Sequence, residues 1–230
     1  MTKHKKHTKG EKNIEAVEGA LSKTEQFIEN NQNLIFWIVG AIVIIAAGYI
    51  GYTRFFIEPR EQSAKSEIFM AENYFEKDSL ELALYGDGIH LGFVDIIEDY
   101  SMTKTANLAR YYAGISYFKL GEYNEAIEYL KDYRARDQIL GAMSYGVIGD
   151  AYLELGDEDN ALRYYTRAYR HEPNALTTPV FLFKAAQLNE YIGKYNEAIR
   201  LYKRIRDEYE DSEEARNIER YIARAEALVD

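Results

Sequence analysis

The chain has 230 residues, 47% of them apolar and 29% charged, with three prolines and no cysteine. Its formal net charge of −10 is uneven: residues 1–33 carry six Lys against five Glu, residues 34–60 add Arg54, Arg60 and Glu58, and the remainder holds a net −12. An acidic body excludes nucleic-acid binding, which needs a basic face, and the missing cysteines exclude a disulfide framework, a thiolate zinc site and a cysteine nucleophile.

Glycine and proline are too scarce to punctuate many strands, so the expected elements are helices. Residues 1–33 read as a basic, amphipathic cytoplasmic tail. Within it Ile14, Val17, Leu21 and Ile28 fall at helical spacing, as in a solvated helix leading into a membrane or one lying on its surface. From residue 34 to 51 the sequence LIFWIVGAIVIIAAGYIG is free of charge. A hydrocarbon core of about 30 Å needs about 20 such residues in a helix. Phe36 and Trp37 stand near one end, and Tyr49, Tyr52, Phe55 and Phe56 near the other, as aromatic belts do. Residues 34–56 are therefore read as one transmembrane helix: the run is longer than a signal peptide's apolar stretch and lacks the polar face of a core helix. Gly40, Ala47 and Gly51 line up on this helix as a contact stripe for another membrane helix.

Lysines in the short leading segment, and the ease with which a long following domain is translocated, put the N-terminus in the cytoplasm and the acidic body outside it. Residues 57–106 read as a helical linker and a degenerate repeat. The expected helices are 61–84, around Ile68, Ala71, Tyr74 and Phe75, and the segment GFVDIIEDY from Gly92, with YGDGIHLG between them. YGDG lacks the Lys-Ser/Thr and the strand-to-helix setting of a phosphate loop, so it is a turn at Asp87 and Gly88.

GEYNEAIEYL from Gly121 returns as GDEDNALRYY from Gly156 and as GKYNEAIRLY from Gly193, at spacings of 35 and 37 residues. A period of this size marks helical hairpins that stack on one another. With each glycine as position 15, the units begin at Asn107, Ala142 and Pro179. Small residues (Ala113 and Gly114; Gly149, next to Ile148; Ala185 and Ala186) let two helices approach, and the glycine ends the first helix of each pair. The second helix returns with Ala126 and Leu130, Ala161 and Tyr165, or Ala198 and Tyr202 at i and i+4.

This pattern resembles the tetratricopeptide repeat over residues 107–211. It departs from it at Tyr133, where a small residue is usual, and at Asn189, where the first helix usually has an aromatic. Residues 212–230, opening on Ser212, Glu213 and Glu214, read as a helix to the end of the chain that caps the stack. The expected fold class is thus all-α, a solenoid of helical hairpins behind one transmembrane helix.

No catalytic, metal or cofactor site emerges, since His4, His7, His90 and His171 are scattered and lie in no nucleophile motif. The resemblance instead implies a protein-binding groove lined by the first helix of each unit. It comprises Leu108, Tyr111, Ile115 and Phe118, then Met143, Gly146, Asp150 and Leu153, then Val180, Phe183, Gln187 and Glu190. Tyr111, Phe118, Leu153 and Phe183 are expected to be partly exposed there. Such a surface suits extended apolar segments, with no nucleic acid and no small-molecule substrate.

The layout of short tail, single span and small acidic repeat domain also resembles the ancillary SecYEG translocon subunit family of bacterial inner membranes. That resemblance implies a periplasmic domain that associates with the translocon and a membrane-anchored prolyl isomerase and assists exported polypeptides. A scaffold for an envelope assembly or division complex, which would bind one folded partner, is the competing expectation.

Overall fold

The computed structural model describes residues 27–135 and 137–229, all helix and loop with no strand among them. Ile14, Val17 and Leu21 of the expected leading helix lie outside these residues. Contacts divide the chain into two units, one ending at Glu58 and the other beginning at Pro59.

In the first unit α1 spans Gln32–Tyr52 and none of its residues is buried. A single π turn, Thr53–Ile57, comes next, in which the Glu58 amide donates to the Thr53 carbonyl five residues back. Pro59, just beyond, has no amide hydrogen and would crowd the carbonyl four residues before it, and a widened turn relieves that conflict. The helix expected over 34–56 is thus α-helical to Tyr52 and runs on through this π turn.

Helix α2 (Glu58–Glu76) leads from Glu58 into the second unit, which continues with α3 (Leu80–Tyr85) and α4 (Phe93–Asp99). The single helix expected over 61–84 is broken at Asp78, whose φ of 56° is left-handed. Beyond α3, Asp87 organises the turn: its carboxylate accepts from the amides of Ile89 (2.9 Å) and His90 (2.7 Å) and from the Tyr74 hydroxyl (2.8 Å). Phe93, fully buried and stacked on Tyr112 at 5.3 Å, joins Ile68, Ala71, Leu84 and Ile96 in one cluster with Ala109 and Ala113. Burying a ring of this size stabilises by about 1.5–3 kcal/mol.

Glu61 of α2 reaches forward to the start of the next helix. Its carboxylate accepts from the amides of Lys104 (2.7 Å) and Thr105 (3.3 Å) and from the Thr105 hydroxyl (3.0 Å). A negative group is thereby placed on the unpaired amides that begin that helix.

Six helices then pair as three hairpins: α5 (Lys104–Leu120) with α6 (Tyr123–Asp132), α7 (Gln138–Glu154) with α8 (Glu158–Arg170), and α9 (Thr178–Tyr191) with α10 (Tyr195–Glu208). Each hairpin also packs on the next, α6 on α7 and α8 on α9. Gly121, Gly156 and Gly193 have φ of 83°, 75° and 77°, a left-handed turn that a side chain would oppose. The first helices of hairpins one and two start on side-chain caps: Thr103 Oγ1 accepts from the Ala106 amide (3.0 Å), and Asp137 Oδ1 from that of Leu140 (2.6 Å). Asp157 does the same for α8.

Inside hairpins one and two the helices close on a glycine. A Cβ on Gly114 would strike Leu130, and one on Gly149 would strike the Tyr165 ring. After α10 the single helix expected from Ser212 onward is instead a 3₁₀ turn, Glu214–Asn217, followed by α11 (Ile218–Glu226). Ser212 Oγ accepts from the Ala215 amide (3.2 Å), favouring the tighter turn. Ile218, Ile222 and Ala225 of α11 are buried against α10 and the third hairpin.

Candidate protein-binding surface

The first helices α5, α7 and α9 bring the expected groove residues into one succession. Ile115, Phe118 and Met143 pack at the junction of hairpins one and two; Met143, Val180 and Phe183 pack on the core of hairpins two and three. Leu108, Ile115, Phe118, Met143, Val180 and Phe183 were expected on one face, and all six are partly buried there, between core and solvent. Leu153 (39%) and Gln187 are exposed.

Tyr111 departs from the expectation of partial exposure: it is 9% exposed and sits in the core. The cause is the bulky residue at a usually small position. Tyr133 packs its ring 5.5 Å from that of Tyr111 and is itself buried, with its hydroxyl donating to Asp137 at 3.1 Å. Gly146 is also covered, because the Phe181 ring lies where its Cβ would be. Asn189, the other departure, is buried and donates its side-chain amide to the Ala185 carbonyl at 2.7 Å.

The acidic members of the set are engaged. Asp150 accepts from the Tyr165 hydroxyl (2.7 Å), and both its oxygens accept from Lys184 Nζ (2.7 Å each) on the next hairpin. One hairpin later Glu190 accepts from the Tyr202 hydroxyl (3.0 Å) and takes a two-pronged contact from Arg224 on α11 (2.7 and 2.9 Å). The same device thus recurs: a tyrosine of the second helix and a cation of the following element share one carboxylate of the first helix. Tyr165 and Tyr202 are equivalent positions of the repeat and so were visible in the sequence as a pair. Lys184 and Arg224 were not, because the carboxylates they meet sit about one helical turn apart in the repeat register.

Burial, followed by the adjacent carboxylate, pushes the phenols of Tyr165 and Tyr202 up. Burial and the Tyr85 hydroxyl (3.0 Å) do so for Tyr117. These phenols hold their protons more tightly in the fold than in the unfolded chain, where the pKa is about 10. Their contribution is fully present below that value and is lost as pH rises through the higher folded-state range. The denaturation midpoint is therefore expected to be level from neutral pH to about 10 and to fall above it. Tyr165→Phe is expected to start lower and fall less steeply, measured by urea unfolding across pH.

Along α8 lies an open cleft of about 620 Å³ whose lining includes Tyr145, Asp159, Leu162, Arg163, Arg167, Arg170, His171 and Lys194. In α1, Gly40, Ala47 and Gly51 face no packing: a Cβ on Gly40 or Gly51 would meet nothing within 4 Å, and Ala47 is exposed. Among the described residues no group of His, Asp and Glu converges as a metal site.

Models of the tetratricopeptide repeat match residues 108–137, 142–174 and 181–212, which fall on the three hairpins. A curated relative, Superkiller complex protein 3 of Homo sapiens, is 30% identical over 107 residues, 46% of this chain. The chain spans only 7% of that relative's length. In fold, the crystal structure of MamA protein is similar with a TM-score of 0.52 at 16% identity, over 73% of this chain and 79% of that one. The crystal structure of nearly identical TPR-like repeats from a Podosopora anserina protein described as a kinesin light chain gives 0.53 at 13% identity, over 72% and 85%. With three matched segments, three hairpins and repeat-like neighbours in fold, residues 108–212 carry three tetratricopeptide repeats.

Proposed function

We propose that the chain is a membrane-anchored protein–protein interaction module, and that it serves beside a bacterial inner-membrane translocon as a chaperone-like factor for exported polypeptides. In this reading α1 is the anchor, the leading residues are cytoplasmic and the repeats are periplasmic.

The observation that carries the reading is an uncovered apolar helix preceding a stack of binding repeats. At 1.5 Å per residue, the 21 residues of α1 span about 30 Å, the thickness of a hydrocarbon core. Its side chains are bare, with Trp37 and Ile44 each 73% exposed. An uncharged helix that is apolar along nearly its whole length is unfavourable in water in that state and favourable in lipid. The repeats supply the interaction function, and stacked helix pairs offer an extended face to peptides. The translocon assignment rests on the layout of tail, span and acidic repeats.

Crosslinking in native membranes, followed by identification of the attached proteins, tests the partner. Translocon subunits together with varied exported chains are the expected products. A single folded assembly or division protein would replace this reading with that of a scaffold. Protease added to spheroplasts is expected to remove residues 61–230, and protection of that segment until lysis would reverse the orientation.

A further inference from the structure

We infer that the cleft beside α8 is a docking site for an acidic peptide segment of a partner protein, separate from the face formed by α5, α7 and α9. Arg163, Arg167 and Arg170 project from α8, and Lys194 from the turn before α10, so four permanent cations border one open cleft with a single lining carboxylate, Asp159.

Their state sets them apart from their neighbours. Lys184, Arg200, Lys203, Arg204, Arg206 and Arg224 of the same repeats and cap each hold a carboxylate in an ion pair. None of the four cleft cations forms an ion pair with a described carboxylate, although the surrounding segment carries a net −12. Positive charge has been gathered here with only Asp159 in the lining and Asp157 near Arg163 to offset it.

Shape selects the ligand. Arg163 and Arg170 are seven residues apart on one helix, which spreads the cations over about 10 Å. Such a row fits several carboxylates along a peptide better than one compact anion. Guanidinium groups accept carboxylates in two-pronged geometry. Arg167 is already aimed by its aromatic seats, 4.4 Å from the Tyr145 ring centre and 5.1 Å from that of Tyr164. Half-buried Leu162 and Tyr145 give the cleft an apolar wall for a side chain between the acidic ones. A nucleic acid fits poorly, because a long polyanion would meet the acidic remainder of the domain. A short segment instead feels chiefly the charges within a Debye length, about 10 Å.

The inference rests on the repeats being a protein-binding module and is independent of the membrane and the translocon. It is tested with the full chain in detergent micelles and a labelled short peptide of glutamates interspersed with leucine. Saturable binding is expected, weakening steeply with salt and absent for the glutamine counterpart of the peptide. Arg163→Gln combined with Arg170→Gln is expected to weaken it at least tenfold with an unchanged melting temperature. Lys194→Gln, on a different element, is expected to weaken it severalfold, and it decides the matter should the double variant be unstable.

No binding by the parent chain, or binding indifferent to these substitutions, overturns the inference. So does displacement by inorganic phosphate at the peptide's own concentration, or tighter binding of a single-stranded oligonucleotide. Peptide binding together with failure to crosslink any translocon component would leave this site standing and remove only the translocon reading.

Discussion

Phe181→Ala is expected to destabilise the repeat domain by about 3–5 kcal/mol, the range for deleting a buried aromatic ring. The ring is 2% exposed, and it fills the space over Gly146 on the preceding hairpin, where no side chain could sit beside it. It is thus a knob from α9 in a hole made by the absence of a Cβ on α7. Gly146→Ala alone is expected to cost about 1–3 kcal/mol through overpacking, despite the better helix propensity of alanine.

The two effects share one volume, so they are not expected to add. In the Phe181→Ala background the new methyl group enters vacated space, and Gly146→Ala is expected to be neutral or mildly stabilising. Urea unfolding of the four proteins measures the coupling. Additivity within about 0.5 kcal/mol would mean that the two hairpins do not meet at this point.

The parts of the fold that were legible in the sequence are those governed by local chemistry repeated at fixed spacing. Gly121, Gly156 and Gly193 announce a left-handed turn, and each has one; Asp157 stands where a cap is needed, and caps α8. The breaks were less legible because each depends on a competition. Residues 61–84 have an unbroken helical pattern, yet the chain turns at Asp78, a residue whose short polar side chain tolerates left-handed backbone. The π turn before Pro59 answers a steric conflict that propensity alone does not display.

At the candidate surface the register placed residues on the correct helix but could not say what would cover them. Tyr111 was expected to be partly exposed because its position usually is, and the large Tyr133 alters that from a distant point in the chain. The cleft of Arg163, Arg167, Arg170 and Lys194 was invisible for a related reason. Three of its cations follow one another along α8, but nothing in the sequence says that they lack carboxylate partners while most cations nearby have them.

Phe183→Ser is expected to loosen α11. The Phe183 ring lies 5.8 Å from that of Tyr202 and 4.9 Å, edge on, from that of Tyr221, which belongs to α11. Tyr221 in turn carries the Arg224 guanidinium 5.0 Å from its ring centre, and Arg224 grips Glu190. Serine removes one apolar seat of this assembly and leaves the Arg224 contact and the buried Ile218, Ile222 and Ala225 to hold α11. Because Phe183 is only half-buried, the global cost is expected to be about 2 kcal/mol, below the range for a fully buried ring. The local effect is larger in kind: amide exchange across Ile218–Glu226 is expected to accelerate at least tenfold while α5 and α6 keep their protection, since stacked repeats open from their ends. Leu153→Ser, at an exposed position on α7, is expected to change stability by less than about 0.5 kcal/mol. If Phe183→Ser instead leaves exchange at α11 unchanged but abolishes binding of extended apolar peptides, the ring is a ligand contact. The groove then reaches the third repeat beneath α11.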